Sequence, residues 1–274
     1  MFQPELFTAV AQAMRRRRIL PVSRPGGKHQ NKSLPPVTPR VVLRSLQVFS
    51  WFAAYLVIFV VVLGPFLWLA AAIWDRDRRL PRRIVRALYR HGMRGFCGSN
   101  MRIQAFDWDR IQGPCILVAN HLSAIDILLL LQLPPDARCW AKTWPFRMPF
   151  LGALMKLCGH LRVERENVLE QAAQSLRRGV SLYVFPEGTR SRDGRLGRFH
   201  DGAFLLAARM NCPVVPIAIH GSGRCMIPDH IRIHDVPLRV EPLGILHADP
   251  TVEKPHLELK RRAFAMIERA LERE

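Results

Sequence analysis

The sequence is short of acidic residues, since 22 Asp and Glu stand against 41 Lys and Arg among its 274 residues, a formal net charge of +19. Its six cysteines include no C-x-x-C pair and lie in otherwise apolar stretches, so the sequence predicts reduced thiols rather than a disulfide framework or a cysteine zinc site. A hydrophobic fraction of 49% with 23% charged residues excludes disorder over most of the chain. The length allows one α/β domain and an attachment.

The histidines also give no metal-ligand pattern. The nearest approach is His230 and His234 with Asp229 and Asp235, where no further ligand is indicated nearby. Pro228 precedes this group, which we interpret as a polar loop and strand. We therefore expect no bound metal and no resident cofactor.

Charge of either sign is absent from residues 48–74, which are 27 uncharged and mostly apolar residues in a row. About 20 such residues span the hydrocarbon core of a bilayer as a helix. The segment is not a secretory signal, because the part of the chain before it is far longer than a signal's basic region. One interpretation is a single tilted spanning helix; the other is a re-entrant hairpin broken at Gly64-Pro65.

Both flanks of this segment are basic. Residues 1–47 hold nine Lys and Arg and one acid, and residues 75–95 hold eight Arg and two Asp. A spanning helix is expected to show a one-sided bias of Lys and Arg, so the two-sided charge favours the hairpin. Basic residues that bracket an apolar segment indicate anionic membrane lipid as a partner, and nucleic acid is not predicted.

From about residue 84 the pattern alternates between short β-like runs and amphipathic helices. This alternation predicts an α/β fold with a mostly parallel sheet and helices on both faces. The strands are predicted at 101–106, 115–119, 137–141, 160–164, 181–185, 214–219 and 238–241. The helices are predicted at 124–133, 150–158, 167–178, 203–210 and 254–273.

The first candidate site follows the apolar run 115–119 and reads Asn120-His121-Leu-Ser-Ala-Ile-Asp126. In α/β folds, reactive groups lie beyond the carboxyl ends of the strands. If Asp126 in the first turn of the next helix folds back onto His121, its carboxylate fixes the imidazole tautomer and leaves the other ring nitrogen as a general base. The alternative is a helix cap and a solvated acid beside an incidental histidine.

The second candidate site is Phe185-Pro-Glu187-Gly188-Thr189-Arg190-Ser, which follows the run 181–184. Glycine lets a ligand approach the backbone amides closely, and arginine offers a planar fork to a phosphate. The alternative is a strand end with a surface ion pair. For the arginines of the loop that follows, Arg192, Arg195 and Arg198, we prefer solvated charge.

Taken together, the two motifs resemble those of the glycerolipid acyltransferases, specifically the 1-acylglycerol-3-phosphate (lysophosphatidate) acyltransferases. Residues 159–165, Gly-His-Leu-Arg-Val-Glu-Arg, resemble the family's second block, and Val215-Pro216-Ile217 resembles the fourth. Lys142, with Pro149 and Gly152, fits the spacing between the first two blocks. The resemblance covers about residues 95–245.

The resemblance implies transfer of a fatty acyl group from a thioester, acyl-CoA or acyl carrier protein, to the free hydroxyl of a lysophospholipid. His121 would be the general base and Asp126 would orient it, without a covalent acyl-enzyme. Acceptor-binding residues carried over from the family are Glu187, Gly188, Thr189, Arg190 and Arg165. Pro216 is associated with the acyl donor or with local structure, and Val215 and Ile217 are expected in the core.

Composition and charge predict a flexible basic tail at 1–45 and a membrane-anchoring segment with a basic flank at 46–95; the resemblance implies an acyltransferase domain at 96–274. We expect the protein at the inner (cytoplasmic) membrane with its catalytic domain in the cytoplasm.

Three departures from the family pattern leave the acceptor's head group open. An acid is present in Phe199-His200-Asp201-Gly202-Ala203, Thr143 stands where an acid is usual, and Arg162 adds a charge. The first expectation is 1-acyl-sn-glycerol 3-phosphate, giving phosphatidic acid; a lyso-ornithine lipid or glycerol 3-phosphate is the alternative. Thioester hydrolysis and a non-catalytic scaffold are rival functions.

Overall fold

A computed structural model describes residues 37–73, 75, 77–97, 101–191, 193–226 and 232–273. Apart from residues 37–39, these lie in one structural unit, Arg40–Glu274. The predicted tail before residue 37 and, from the histidine group, Pro228, Asp229 and His230 lie outside the described residues.

The helices and strands follow one another in an alternating order along the chain. The helices are α1 (Pro39–Val57), a π-helical segment (Ile58–Leu63), α2 (Gly64–Ile73), α3 (Arg79–Cys97), α4 (Asp126–Leu130), α5 (Trp144–Arg147), α6 (Leu151–Leu157), α7 (Val168–Arg177), α8 (Gly202–Met210), α9 (Ser222–Cys225) and α10 (Pro255–Glu272). The strands are β1 (Met101–Ile103), β2 (Ile116–Ala119), β3 (Ala137–Ala141), β4 (Leu161–Arg162), β5 (Ser181–Val184), β6 (Val214–His220) and β7 (Leu238–Pro242).

The strands form one seven-stranded sheet in the order β1-β7-β6-β2-β5-β3-β4. Neighbouring strands are parallel except for β6 and β7, which are antiparallel. The predicted α/β fold with a mostly parallel sheet is confirmed. Every residue of β2, β5 and β6 is buried, as expected for central parallel strands that are covered on both faces.

The strand register brings the two candidate sites together. Val118 of β2 lies opposite Val184 of β5, so both strands end at the same level on the same edge of the sheet. The residues that follow β2 and those that follow β5 therefore meet, although more than 60 residues of chain separate them. The core beneath this edge joins Leu117 and Ile217 of the sheet to Leu129 of α4.

The predicted elements of the domain are present, most of them with ends within two residues of the prediction; the strands predicted at 101–106 and 160–164 and the helix predicted at 124–133 are shorter by three to five residues. The sequence analysis missed α3 because we counted its arginines as a basic flank. The apolar residues of α3, Ile84, Val85, Leu88 and Tyr89, recur at helical spacing and pack against the preceding helix and α6. It also missed the four-residue helices α5 and α9.

The prediction of a hairpin broken at Gly64-Pro65 is wrong. The chain stays helical from Pro39 to Ile73, and Gly64 has right-handed helical angles, φ −56° and ψ −48°. A π-helical turn is wider than an α-turn, so the segment Ile58–Leu63 makes room for the ring of Pro65 and for its missing N–H. The helix begins seven residues before the predicted boundary at 46.

The continuous helix Pro39–Ile73 is called the long helix below. The chain reverses direction between Ile73 and Arg79, and α3 packs against the long helix. Val85 lies in an apolar cluster with Phe59 and Leu67 of the long helix and with Leu154 and Leu157 of α6. The stretch Pro39–Ala70 is long and apolar enough to cross a membrane, and most of its side chains are not buried by protein. A pair of helices is therefore present, with its turn about ten residues later than predicted.

Arginines of α3 and of the turn before it fasten this helix pair to the domain. The guanidinium of Arg82 is buried and donates to both carboxylate oxygens of Asp136 at 2.7 and 2.8 Å, and to the carbonyl of Cys158 at 3.1 Å. Arg86 donates to the carbonyl of Pro135, at 2.8 Å, just beyond α4. Carbonyls at helix carboxyl ends lack intrahelical partners and carry partial negative charge, so arginine satisfies both needs.

Replacing Arg82 by Ala is expected to lower the free energy of unfolding by about 3 kcal/mol, because the half-buried Asp136 loses its bidentate partner. Chemical denaturation in detergent measures this change. The matched control is Arg83→Ala, an exposed residue of the same helix, which is expected to change the free energy by less than about 0.5 kcal/mol. Equal effects of the two substitutions would contradict a structural role for the Arg82–Asp136 pair.

Candidate active site

His121 lies in the turn after β2, and Asp126 is the first residue of α4. The ring nitrogen Nδ1 of His121 is 2.8 Å from Oδ2 of Asp126, while 20% of the histidine side chain stays exposed. The carboxylate accepts from Nδ1–H, which leaves Nε2 as the basic ring nitrogen. The structure therefore brings together the pair that the sequence predicted from a five-residue spacing.

Asp126 also holds the turn itself. Its Oδ2 accepts the backbone N–H groups of Leu122 and Ser123, each at 2.7 Å, so one oxygen receives three hydrogen bonds. The carboxylate is completely buried, and its Oδ1 has no hydrogen-bond partner among the described residues. Because a buried carboxylate needs donors close by, the turn and the imidazole are fixed in one arrangement around it.

The side chain of Glu187, which follows the neighbouring strand β5, holds the same turn in place. Its Oε1 accepts the backbone N–H of His121 and its Oε2 accepts that of Gly197, each at 2.8 Å. Burial raises the pKa of the Glu187 carboxyl, and the two backbone N–H groups oppose that shift. A Cβ at Gly197 would lie 2.8 Å from Oε2, so a side chain there would displace the carboxylate from this position. The two motifs are thus joined through a buried side chain.

The ring and the carbonyl of His121 are held as well. Phe185 stacks on the imidazole with ring centroids 4.2 Å apart and an interplanar angle of 18°. The backbone N–H of Ser191 donates to the carbonyl of His121 at 2.8 Å. The loop after β5 therefore fixes the backbone and the ring plane of the histidine, which the sequence analysis did not foresee.

Asn120 was part of the first motif, but the sequence analysis gave it no role. Its side-chain amide donates to the carbonyl of Ile219 at 2.9 Å, and its Oδ1 accepts the N–H of Ile219 at 2.8 Å. This pair of bonds extends the pairing of β2 and β6 by one side chain. These bonds fix the start of the turn that carries His121. The only feature of the sequence that could have indicated this role was the position of Asn120 next to the histidine.

The remaining residues predicted to bind the acceptor lie on two different turns of the chain. Gly188 has φ +68°, and a Cβ there would meet the ring of His200 at 3.2 Å, so this turn requires glycine. Thr189 is exposed and Arg190 is half-buried on the same loop. Arg165 is exposed on the turn after the edge strand β4, three strands away from β2.

Pro216 is not at the edge of the sheet where His121 lies. It is buried inside β6, opposite Val118, and its carbonyl accepts the N–H of Leu243 at 2.9 Å. Its neighbours Val215 and Ile217 are completely buried, which confirms their expected place in the core.

Five of the thiols lie inside the protein. Cys115, Cys139, Cys158, Cys212 and Cys225 are buried and free, and burial raises the pKa of Cys139 to about 12. A thiol of that pKa is a poor nucleophile at neutral pH. In the part of the chain that the structure describes, no group of three His, Cys, Asp or Glu side chains is placed to hold a metal ion.

The residues that depart from the family pattern make contacts of their own. Thr143 bonds both oxygens of Glu164 through its N–H, at 3.1 Å, and its hydroxyl, at 2.9 Å. The guanidinium of Arg162 lies 4.8 Å from the ring centroid of Phe146. Asp201 pairs with Lys260 of α10 at 2.5 Å, so its charge is partly neutralised.

Comparison with known proteins finds several acyltransferases that are similar to this chain. A family model described as Acyltransferase matches residues 98–220. A chloroplastic 1-acyl-sn-glycerol-3-phosphate acyltransferase of Brassica napus is 33% identical over 189 residues, which are 64% of this chain and 51% of that protein. Another, of Arabidopsis thaliana, is 40% identical over 119 residues, 41% of this chain and 33% of that protein. The chain thus spans about half or less of these relatives' length.

Among solved structures, the 1-acyl-sn-glycerophosphate acyltransferase of Thermotoga maritima has a similar fold. The two chains superimpose with a TM-score of 0.71 and 22% sequence identity, over 85% of this chain and 95% of the other. At this identity the likeness concerns the fold.

Replacing Glu187 by Gln is expected to lower the free energy of unfolding by about 1–3 kcal/mol, because the amide NH₂ faces one of the two backbone N–H groups and leaves it unsatisfied. Denaturation of the variant measures this. Glu164→Gln is the control, since Glu164 is exposed and accepts its hydrogen bonds from Thr143 at the surface. If Glu187→Gln is no less stable than the control, Glu187 does not act as a clamp.

Proposed function

We propose that the chain is an O-acyltransferase of the acyltransferase family, which moves a fatty acyl group from a thioester to the free hydroxyl of a lysophospholipid. The proposed acceptor is 1-acyl-sn-glycerol 3-phosphate and the product phosphatidic acid, as the names of the relatives suggest. The observation that carries the proposal is the 2.8 Å contact between Nδ1 of His121 and the buried carboxylate of Asp126.

In the proposed reaction, Nε2 of His121 removes the proton of the acceptor hydroxyl as its oxygen attacks the thioester carbonyl. Asp126 stabilises the imidazolium and holds the ring in place. The tetrahedral intermediate then collapses, the C–S bond breaks and the ester remains. The imidazolium returns the proton to the departing thiolate, so the histidine is regenerated and no acyl-enzyme forms. The donor is acyl-CoA or an acylated carrier protein, and the step needs no cofactor.

Binding of the acceptor is assigned to the loop after β5 and to the turn after β4. Arg190 and Arg165 are the proposed phosphate ligands, since a guanidinium binds a phosphate in bidentate fashion. Gly188 and Thr189 complete the loop on the side of His121. Both carboxylate oxygens of Glu187 accept backbone N–H groups. Glu187 is therefore proposed to assist acceptor binding indirectly, by fixing the position of the loop.

The long helix is proposed to lie in the membrane interface and not to cross the bilayer. Near its start, the hydroxyl of Ser45 accepts the N–H of Ile233 at 2.9 Å; near its end, Leu67 packs against Leu154 of α6. A helix held at both ends by one domain cannot place those ends on opposite sides of a membrane. We propose attachment to the inner membrane, with the catalytic domain in the cytoplasm where thioester donors are made.

Replacing His121 by Ala is expected to abolish acyl transfer to lysophosphatidate while the protein stays folded and bound to membranes. Asp126→Asn is expected to lower kcat by about 10⁴-fold, by analogy with other His–Asp pairs. Product formation from a labelled acyl donor, with and without acceptor, measures both and separates transfer from thioester hydrolysis. His247→Ala, an exposed histidine beyond β7, is the control. Near-normal turnover of the His121 variant would overturn the mechanism.

Replacing Arg190 by Lys is expected to raise the KM for the phosphate acceptor by about tenfold and to change kcat little, because a lysine contacts a phosphate as a point charge. Initial rates at varied lysophosphatidate concentration measure this, and Arg195→Lys, an exposed residue of the same loop, serves as control. An unchanged KM would point to an acceptor without phosphate, such as a lyso-ornithine lipid, which the same assay tests directly.

A further inference from the structure

The segment that follows β3 exposes large apolar side chains close to the site. Trp144 is 57% exposed, and Met148 and Phe150 are each 44% exposed. Val163, on the turn after the neighbouring strand β4, is 39% exposed. Single exposed apolar residues are normal on a protein surface, but four of them on two adjacent turns need a physical reason.

This segment is held rigidly in that position. Phe150 has φ +56°, a backbone conformation that is costly for a bulky residue. A Cβ at position 152 would lie 2.3 Å from the carbonyl oxygen of Phe146, so the turn closes tightly on Gly152. The N–H of Gly152 also donates to the carbonyl of Met148 at 2.8 Å. The exposed side chains are therefore fixed outward.

The segment lies at the same edge of the sheet as His121 and next to the long helix. It leaves the carboxyl end of β3, which is two strands and about 10 Å from β2. The helix that follows it, α6, packs Leu154 and Leu157 against Phe59 and Leu67 of the long helix. Because α6 has only seven residues, the exposed side chains lie about 10 Å from that contact.

We infer that Trp144, Met148, Phe150 and Val163 form a second lipid-contact surface, by which the catalytic domain itself rests on the membrane beside the long helix. The name lipid-contact surface is used below for these four residues. This inference rests on the membrane attachment proposed above. It goes beyond it, because the contact belongs to the catalytic domain and not to the helix pair.

A lipid surface is the occupant that the chemistry fits. Tryptophan and phenylalanine are enriched where a protein meets the interface of a bilayer, and Lys and Arg beside them attract anionic head groups. Exposed Lys142, Arg147 and Arg165 border the four apolar residues. The surface is also joined by α6 to the long helix, whose apolar side chains are mostly not buried by protein, so one membrane can contact both.

The consequence concerns how the acceptor reaches His121. With the domain edge resting on lipid, a lysolipid can keep its acyl chain in the bilayer while its head group and hydroxyl enter the site from the side. The acceptor is then not extracted into water, which would cost about 0.8 kcal/mol for each CH₂ group. The surface should therefore matter for acceptors held in a membrane and not for soluble ones.

Fluorescent labels tested against quencher-bearing lipids measure the contact directly. Cysteine substitutions Met148→Cys, Phe66→Cys and Val252→Cys are made one at a time with Cys97 replaced by Ser; the labelled, full-length protein is placed in phosphatidylethanolamine and phosphatidylglycerol vesicles. Phe66 is an exposed residue of α2 and reports membrane attachment. Val252 is equally apolar and exposed, in a loop beyond β7 at the opposite edge of the sheet, and is the matched control.

We expect lipid quenchers to quench the labels at 66 and 148 and not the label at 252. Quenching at 66 alone would overturn the lipid-contact surface and leave the membrane attachment standing. No quenching at either position would overturn both. If the fluorescence of the label at 148 changes with protein concentration and not with lipid, the lipid-contact surface is also overturned. That result would identify a second copy of the chain as the occupant.

A kinetic test separates this inference from the proposed reaction. The double substitution Trp144→Ser and Met148→Ser should raise the apparent KM for a long-chain lysolipid in vesicles by about tenfold, which corresponds to half the burial of one large apolar side chain. Its kcat/KM for a short-chain, monomeric acceptor should stay unchanged. Equal losses with both acceptors would mean that the substitutions damage the site and would overturn the inference. Inactivity of the unsubstituted protein would count against the proposed function alone.

Discussion

Two buried carboxylates hold the turn that carries His121, and the arrangement of the site depends on them. Asp126 binds the imidazole and two backbone N–H groups of the turn, and Glu187 binds the N–H of His121 itself and that of Gly197. A carboxylate removed from water is costly unless donors surround it, so neither acid tolerates a displaced turn. The position of His121, the proposed general base, is thus fixed by the need to satisfy negative charge, and the sheet supplies the place where both acids meet.

The local half of this arrangement was predictable from sequence, and the distant half was not. The pair His121 and Asp126 spans five residues between an apolar run and a helix start, so its geometry follows from the turn. The clamp by Glu187 depends on β5 lying beside β2, and sequence alone gave no strand order. We assigned Glu187 to the acceptor from the family resemblance; its two short backbone contacts appear only in the folded chain.

In the fold, too, local features were predictable from sequence and features that depend on distant contacts were not. Buried parallel strands are continuous apolar runs, and the predicted strands were found within a few residues because periodicity and turn residues mark them. The prediction failed at Gly64-Pro65, where a π-helical turn absorbs the proline, and at α3, whose apolar stripe is masked by eight nearby arginines. Pro65 and the arginines were interpreted from composition, but their effects depend on what packs against them.

The contacts of the arginines also change what the net charge implies about attraction to a membrane. The basic stretch 75–95 was taken as a flank for anionic lipid, yet Arg82 is buried on Asp136, and Arg86 donates to carbonyls beyond α4. Arg79 likewise donates to the carbonyl of Arg178 at the end of α7. A guanidinium that neutralises helix carboxyl ends and a half-buried acid contributes less attraction to lipid than its formal charge implies. The proposed attachment to the membrane must then depend more on exposed apolar surface, which the long helix supplies along most of its length.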